Sequence, residues 1–512
     1  MTGQRLRRHA RTSAALVASG AVLLAIAPAY AAHQRTLPGA QVRATHSAQH
    51  AATHGTLGTD ATATVIGAAN SLPRVVAPQQ ISSDSNPKVT DAAGVSQTDT
   101  QTEPSIAADP RGGRDIVMVT QQGRFDNGGS SAPGYAHSGD GGTTWQTHDL
   151  DLTKVSGGIF DRGSDTVVVF GGDGTAYAVT LVFDVSDCDN AIAVQTSHDG
   201  GATFGDPAYV ARNDDCTIQF DKEWIVVDTN KRSPHQGRVY VVWDEYRYLD
   251  TYSEPEILRY SDDHGHTWSD AVTVNDHFGA YPVPLVTPDG SVVVTHINYD
   301  QTDSYPVGVG SNRSTDGGNT FAPDVIVTDS YNDGGPSDLR YGGVPNAAVD
   351  ATTGKMYVVW DDNRFNAQGR DDVVMSVSSN GGRSWGKVSD VTPSGKGSQV
   401  DALTPMVAAD HSRVYVSYLA RDEATTETAD HTHTYITASH NNGNTFGPSY
   451  PLGPQSDLAY APLAPAPFPG DYSGLVTANN KVYAAWAVSS EPPTGSDSPT
   501  HQVTWGAVLP QW

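Results

Sequence analysis

Six times along this chain an eight-residue pattern returns, S-x-D/N-x-G-x-T/S-W/F, beginning at Ser138, Ser197, Ser261, Ser314, Ser378 and Ser439. Successive copies lie 53 to 64 residues apart. A motif returning at a near-constant period of this size marks a repeated supersecondary unit, and so a solenoid or a propeller. Between the copies run short β-rich segments. Three align well, IVMVTQQGRF, VYVVWDEYRY and MYVVWDDNRF, and a seventh, KVYAAWAVSSE, begins at Lys481 with no such pattern after it.

The recurring pattern is built as a turn. Asp140, Asp199, Asp263 and Asp316 can accept backbone N–H bonds within it. Gly142, Gly201, Gly265 and Gly318 supply a positive φ. The closing Trp or Phe brings an apolar body that can wedge between sheets. Asn380 and Asn441 replace the Asp in the last two copies, keeping the acceptor and losing the charge. That tolerance suits an architectural clip rather than a catalytic acid.

This turn resembles the Asp box, the bacterial neuraminidase repeat, and the resemblance to the sialidase superfamily covers the chain from about residue 100 onward. It implies an all-β chain folded as a β-propeller. Units opening near residues 103, 161, 221, 281, 341, 401 and 471 set the expectation at seven four-stranded blades, with six blades and an extra strand pair as the alternative. The seventh unit stops after its third strand, QVTWGAVLP, so closure needs a strand from residues 72–100.

The N-terminus reads as an export signal over residues 1–31. Arg5, Arg7, Arg8 and Arg11 precede an apolar run from Ala14 to Ala27, and Ala29-Tyr30-Ala31 offers a cleavage site. Residues 32–98, rich in Ala, Thr, Gln, Ser and His, read as a mostly disordered stalk before a propeller over 99–512. A secreted, extracellular monomer without a membrane anchor is expected. The chain holds 31 Lys and Arg against 57 Asp and Glu, a net charge of −26 that falls to −30 without the leader. Such a surface excludes nucleic acid and anionic membranes as partners. Any anionic ligand would need a local basic pocket.

Cys188 and Cys216 are the only cysteines, and in an oxidising compartment a disulfide between them is expected. No cofactor is required by any motif. Asp187, Asp189, Asp214 and Asp215 form a candidate structural Ca²⁺ site if they converge, against solvated loop acids as the plainer reading.

Two stretches resemble the sialidase active site. FPGDYSGLVTANNKVYAAW resembles the segment bearing the nucleophilic tyrosine, which nominates Tyr472; TEPSIAADP resembles the one bearing its partner glutamate, which nominates Glu103. A phenol needs a base before it can attack. The general acid falls to Asp371, with Asp372 beside it, or to Asp126 in the first blade. The superfamily's F/Y-R-I-P motif, whose arginine helps clamp a substrate carboxylate, is missing; the nearest string is Leu72-Pro73-Arg74-Val75. Arg162, Arg340 and Arg364 could rebuild such a clamp, with Arg124, Arg247, Asp221 and Lys222 on the same rim. The resemblance implies a glycan substrate and an exo-acting hydrolase releasing sialic acid or a related acidic sugar. The alternatives are a propeller that binds a glycan or protein without turnover, or a polysaccharide lyase on the same fold.

Overall fold

The computed structural model describes residues 76–512 apart from 250–251, 277, 301–305, 332–334, 337, 342, 393–398 and 423–430. The export signal and most of the stalk lie outside the described residues. Those described form β-strands, turns and one short 3-10 segment, Leu458–Tyr460, with no α-helix. None of their helices is long and apolar enough to cross a membrane.

The strands fall into seven antiparallel four-stranded units. Blade one is Gln97–Ala108, Ile116–Arg124, Ser130–Ser138 and Gln146–Asp149. The inner strands of blades two to seven are Arg162–Phe170, Ile218–Val227, Gly279–Val286, Asn346–Val349, Val400–Asp410 and Gly474–Ala478. Each inner strand packs beside the next, and the last packs beside the first, so the ring closes. Closure comes from the N-terminal side. Val76–Ser82 pairs antiparallel with Gln502–Pro510 and completes the seventh blade as its fourth strand. Residues 76–98, grouped with the stalk on composition, therefore contribute to the ring.

Apolar side chains of each blade meet those of the next in seven separate clusters. The strands read as near-continuous apolar runs because both faces are covered. The recurring turns join the third strand of a blade to its fourth and clip adjacent blades. In the first copy the Ser138 hydroxyl donates to Asp140 Oδ1 and accepts from the Gly142 N–H, while Asp140 accepts from Thr144. Asn380 keeps the acceptor bond from the Ser384 N–H and donates to the Ser384 hydroxyl. The turn glycine is where the clip seats: a Cβ on Gly201, at φ +91°, would lie 2.0 Å from Val117 of blade one, and one on Gly142 would lie 2.9 Å from Val508 of blade seven. The closing aromatics Trp145, Phe204, Trp268, Phe321, Trp385 and Phe446 each pack on an inter-blade cluster.

Candidate functional site

Each inner strand must bring polar groups to the channel without breaking its pairing. Five of them do so with a bulge at one shared register. The paired register slips between Thr102 and Ser105, Ser164 and Val167, Asp221 and Trp224, Ala280 and Val283, and Leu403 and Met406. At each slip one non-glycine residue takes a left-handed backbone: Glu103 (φ 54°), Asp165 (49°), Lys222 (53°), Tyr281 (60°) and Thr404 (47°). A bulge re-aims a side chain, and a left-handed conformation in a residue with a Cβ costs roughly 1–3 kcal/mol. The cost recurs where charged and phenolic groups are concentrated. In blade seven Gly470 (φ 119°) lies tight against Glu103, and the Asp471 N–H donates to Glu103 Oε1 at 3.1 Å.

These groups form one network. Arg340 donates through both terminal nitrogens to the two oxygens of Asp471, and Lys222 Nζ lies 3.3 Å from Asp471 and 3.5 Å from Asp165. The Gln121 amide donates to Glu103 Oε2 and, at 3.5 Å, to Asp165 Oδ1; its oxygen accepts from Arg124 at 3.0 Å. Arg124 and Arg340 both stack on Phe468, and Lys222 sits 5.3 Å from the Tyr281 ring centre. Glu223 accepts from the Leu181 N–H with one oxygen, and its other oxygen is buried without a hydrogen-bond partner. The Tyr472 ring meets Trp224 edge-on at 5.5 Å, and its buried hydroxyl has no hydrogen-bond partner among the described residues.

Burial and charge spread the proton affinities apart. Burial, reinforced by Asp165 and Asp471, pushes Glu103 up to about 8. Burial also raises Asp165, to about 6, against the pull of Lys222. Asp471 is equally buried, yet Arg340 and Lys222 outweigh that and hold it at about 2. The Tyr472 phenol is driven well above its usual value by burial and by the charges of Glu103, Asp165 and Glu223. Near neutral pH the cluster thus holds a protonated glutamate and an ionised aspartate bridged by one amide, a combination able to give and to take a proton.

The structure brings together Glu103, Tyr472, Lys222, Asp221, Arg340 and Arg124. It sets the other nominated residues elsewhere. Arg162 is fully buried, forks onto Asp91, donates to Asn127 and the Gly128 carbonyl, and stacks on Phe125. Arg364 is forked onto Asp362 and Arg247 donates to Glu245. Asp371 is buried in blade five, its N–H donating to Asp401, and Asp126 is exposed on a loop of blade one. Asp165 and Gln121 escaped the sequence reading. Blade two was opened at Asp161-Arg162, whereas setting SDTVVV in register with TEPSIA and DKEWIV would have placed Asp165 beside Glu103 and Lys222.

Cys188 and Cys216 are joined, with their Cα atoms 4.9 Å apart. Beside them a cavity of about 100 Å³ is lined by Leu181, Phe183, Cys188, Gln219 and Phe220, next in sequence to the Asp221 of the cluster. Of the acids read as a candidate Ca²⁺ site, Asp189 is forked by Arg212 and Asp215 accepts from Thr217. Among the described residues no group of three or more His, Cys, Asp or Glu is arranged to hold a metal ion.

Residues 164–399 match the family model described as a BNR repeat-like domain, a span that holds the copies of the recurring turn beginning at Ser197, Ser261, Ser314 and Ser378. No curated protein matches the chain. Similar solved structures include a Hadza microbial sialidase (14% identity, 86% of this chain and 94% of that one, TM-score 0.41). An alpha-L-arabinanase of Penicillium chrysogenum complexed with arabinobiose is similar at 11% identity, over 85% of this chain and 98% of that one, TM-score 0.43. A protein of unknown function from Dyadobacter fermentans is similar at 14% identity, over 85% and 99%, TM-score 0.39.

Proposed function

We propose that this BNR-repeat-type chain is a glycoside hydrolase whose reacting groups are Tyr472, Glu103 and Asp165 at the centre of the ring. The observation that carries this reading is the Tyr472 hydroxyl, buried without a hydrogen-bond partner and set in the field of Glu103 and Asp165. A buried hydroxyl left unpaired costs roughly 1–3 kcal/mol, which a substrate bond would recover. Glu103, protonated at neutral pH, donates to the departing glycosidic oxygen as the bond to the anomeric carbon breaks. Tyr472 bonds to that carbon and passes its proton to Asp165. Water then attacks the anomeric carbon and gives its proton to Glu103, while the Tyr472 oxygen, leaving that carbon, takes its proton back from Asp165. The fine expectation from the family resemblance, release of sialic acid, draws its support from Tyr472 and Glu103 alone.

The test is turnover of a panel of aryl glycosides by wild type and Tyr472→Phe. Loss of at least a hundredfold in kcat/KM is expected in the variant, and unchanged turnover would remove Tyr472 from the reaction. Binding without turnover is favoured by one feature, the near-complete burial of Glu103 and Asp471, at 1% and 2% exposed. A glycan-array signal from a chain inactive on every aryl glycoside would support that second reading.

A further inference from the structure

A sugar carboxylate is recognised by cations that the folded protein leaves free, preferably arginine forks presented to the ligand. Among the described residues of the channel those cations are taken. Arg340 already has both terminal nitrogens on Asp471 and its face on Phe468. Lys222 lies against Asp471 and Asp165, with Asp221 also in its field. Arg124 is 3% exposed, bonded to Gln121 and stacked on the same Phe468. Around them the rim arginines are satisfied inside the protein as well: Arg162 by Asp91, Arg247 by Glu245, Arg364 by Asp362, Arg370 by Asp401 and Arg421 by Asp338.

We infer that the sugar accepted by this channel is uncharged, because Asp471 occupies the position on Arg340 and Lys222 that an acidic sugar's carboxylate would need. The inference rests on the glycosidase reading and names its substrate class. An incoming carboxylate would have to displace Asp471, which is 2% exposed, and leave it buried and unpaired. A neutral sugar asks for none of this. Its hydroxyls can donate to the unpartnered oxygen of Glu223 and accept from the Tyr472 hydroxyl, while Asp471 keeps both cations neutralised. The net charge of −26 on the whole chain works in the same direction, repelling anionic glycans before they arrive.

The experiment has two arms on the full chain. In the first, kcat/KM is compared for uncharged 4-nitrophenyl pentosides and hexosides and for a 4-nitrophenyl glucuronide and an aryl sialoside. At least a hundredfold preference for an uncharged glycoside is expected; preference for an acidic one overturns the inference and leaves the glycosidase reading standing. Turnover of neither class ends the glycosidase reading, and the second arm still decides the inference. It measures binding of free glucuronate and of glucose by calorimetry. Wild type should bind glucose at least tenfold more tightly than glucuronate, and Asp471→Asn should gain at least tenfold for glucuronate. Equal or tighter binding of glucuronate by wild type overturns the inference, whether or not the variant folds.

Discussion

Arg340 and Asp471, 131 residues apart in sequence, meet fork to fork, so the segment opening blade five is tied to the segment opening blade seven. Both side chains are largely buried. Removing one partner of such a pair strands the other charge in a low-dielectric site, at a cost of about 3–5 kcal/mol. Arg340→Gln should lower the unfolding free energy by that order in urea titration at pH 7. A loss under 1 kcal/mol would show that the pair is a surface contact in solution.

Acid should reach the same pair through Asp471. Its folded proton affinity, about 2, lies below the ordinary 3.8. A carboxyl depressed on folding adds stability above its unfolded value and gives it up as the pH falls through the folded one. The contribution here is roughly 2 kcal/mol. In wild type the melting temperature should therefore drop between pH 4 and about 2, and the drop should be smaller in Asp471→Asn.

Glu103 acts with the opposite sign. Burial lifts it from 4.5 to about 8, so the folded protein binds a proton that the unfolded chain has already released. Stability is fully present below pH 4.5 and declines as the pH climbs toward 8. Melting temperatures from pH 4 to 9 should fall on the alkaline side, and Glu103→Gln should flatten that fall. An equally steep decline in the variant would assign it to another group.

The same two carboxyls set the expected pH profile of turnover. The reaction needs Asp165 ionised, which begins near 6, and Glu103 protonated, which ends near 8. A bell with limbs near those values is expected for kcat/KM on an uncharged aryl glycoside, as macroscopic values of an interacting set. Asp165→Asn should abolish most activity while leaving the channel folded. A profile flat from pH 5 to 9 would exclude both residues.

The fold was legible because its repeat is local. The clip needs an acceptor, a positive-φ glycine and an aromatic within eight residues, and all three show in the sequence. The closing strand was legible too, as a missing fourth strand in the last unit, although its residues, Val76–Ser82, carry little β pattern of their own. Within the cluster, Glu103 and Tyr472 were legible from stretches resembling a known family, and Asp221, Lys222, Arg340 and Arg124 from their places at blade entries and rim loops. Arg162 looked like a channel residue from its place at the start of a blade. Its side chain instead turns to Asp91, which no sequence rule places beside it. Asp165 was hidden because a bulge shifts register by one residue without marking the sequence; in blades one, four and six a proline follows the bulged residue, and in blade two a threonine does.

The clip itself separates geometry from charge. Gly201→Ala puts a methyl group into Val117 at a backbone angle that alanine resists, and should cost on the order of 2–4 kcal/mol through strain and overpacking. Asp199→Asn should cost under about 1 kcal/mol, because Asn380 and Asn441 already make the equivalent bonds in their own copies. Chemical denaturation of the two variants is the check. A larger loss for Asp199→Asn than for Gly201→Ala would mean that the carboxylate, rather than the glycine's close approach, holds adjacent blades together.

The last prediction concerns the strand that closes the ring. Val76–Ser82 pairs with Gln502–Pro510 from Val76 opposite Val508 to Ser82 opposite Thr504, and Ile81 sits buried in the cluster between blades seven and one. Deleting residues 1–83 would strip the outer edge from Gln502–Pro510 and uncover the apolar side chains beneath it. An unprotected edge of this kind is a template for pairing with another chain. The truncated protein should melt well below wild type and self-associate, as read by light scattering, whereas a chain beginning at residue 72 should behave as the full-length protein does. Equal melting temperatures and a monomeric state for both truncations would show that blade seven holds with three strands.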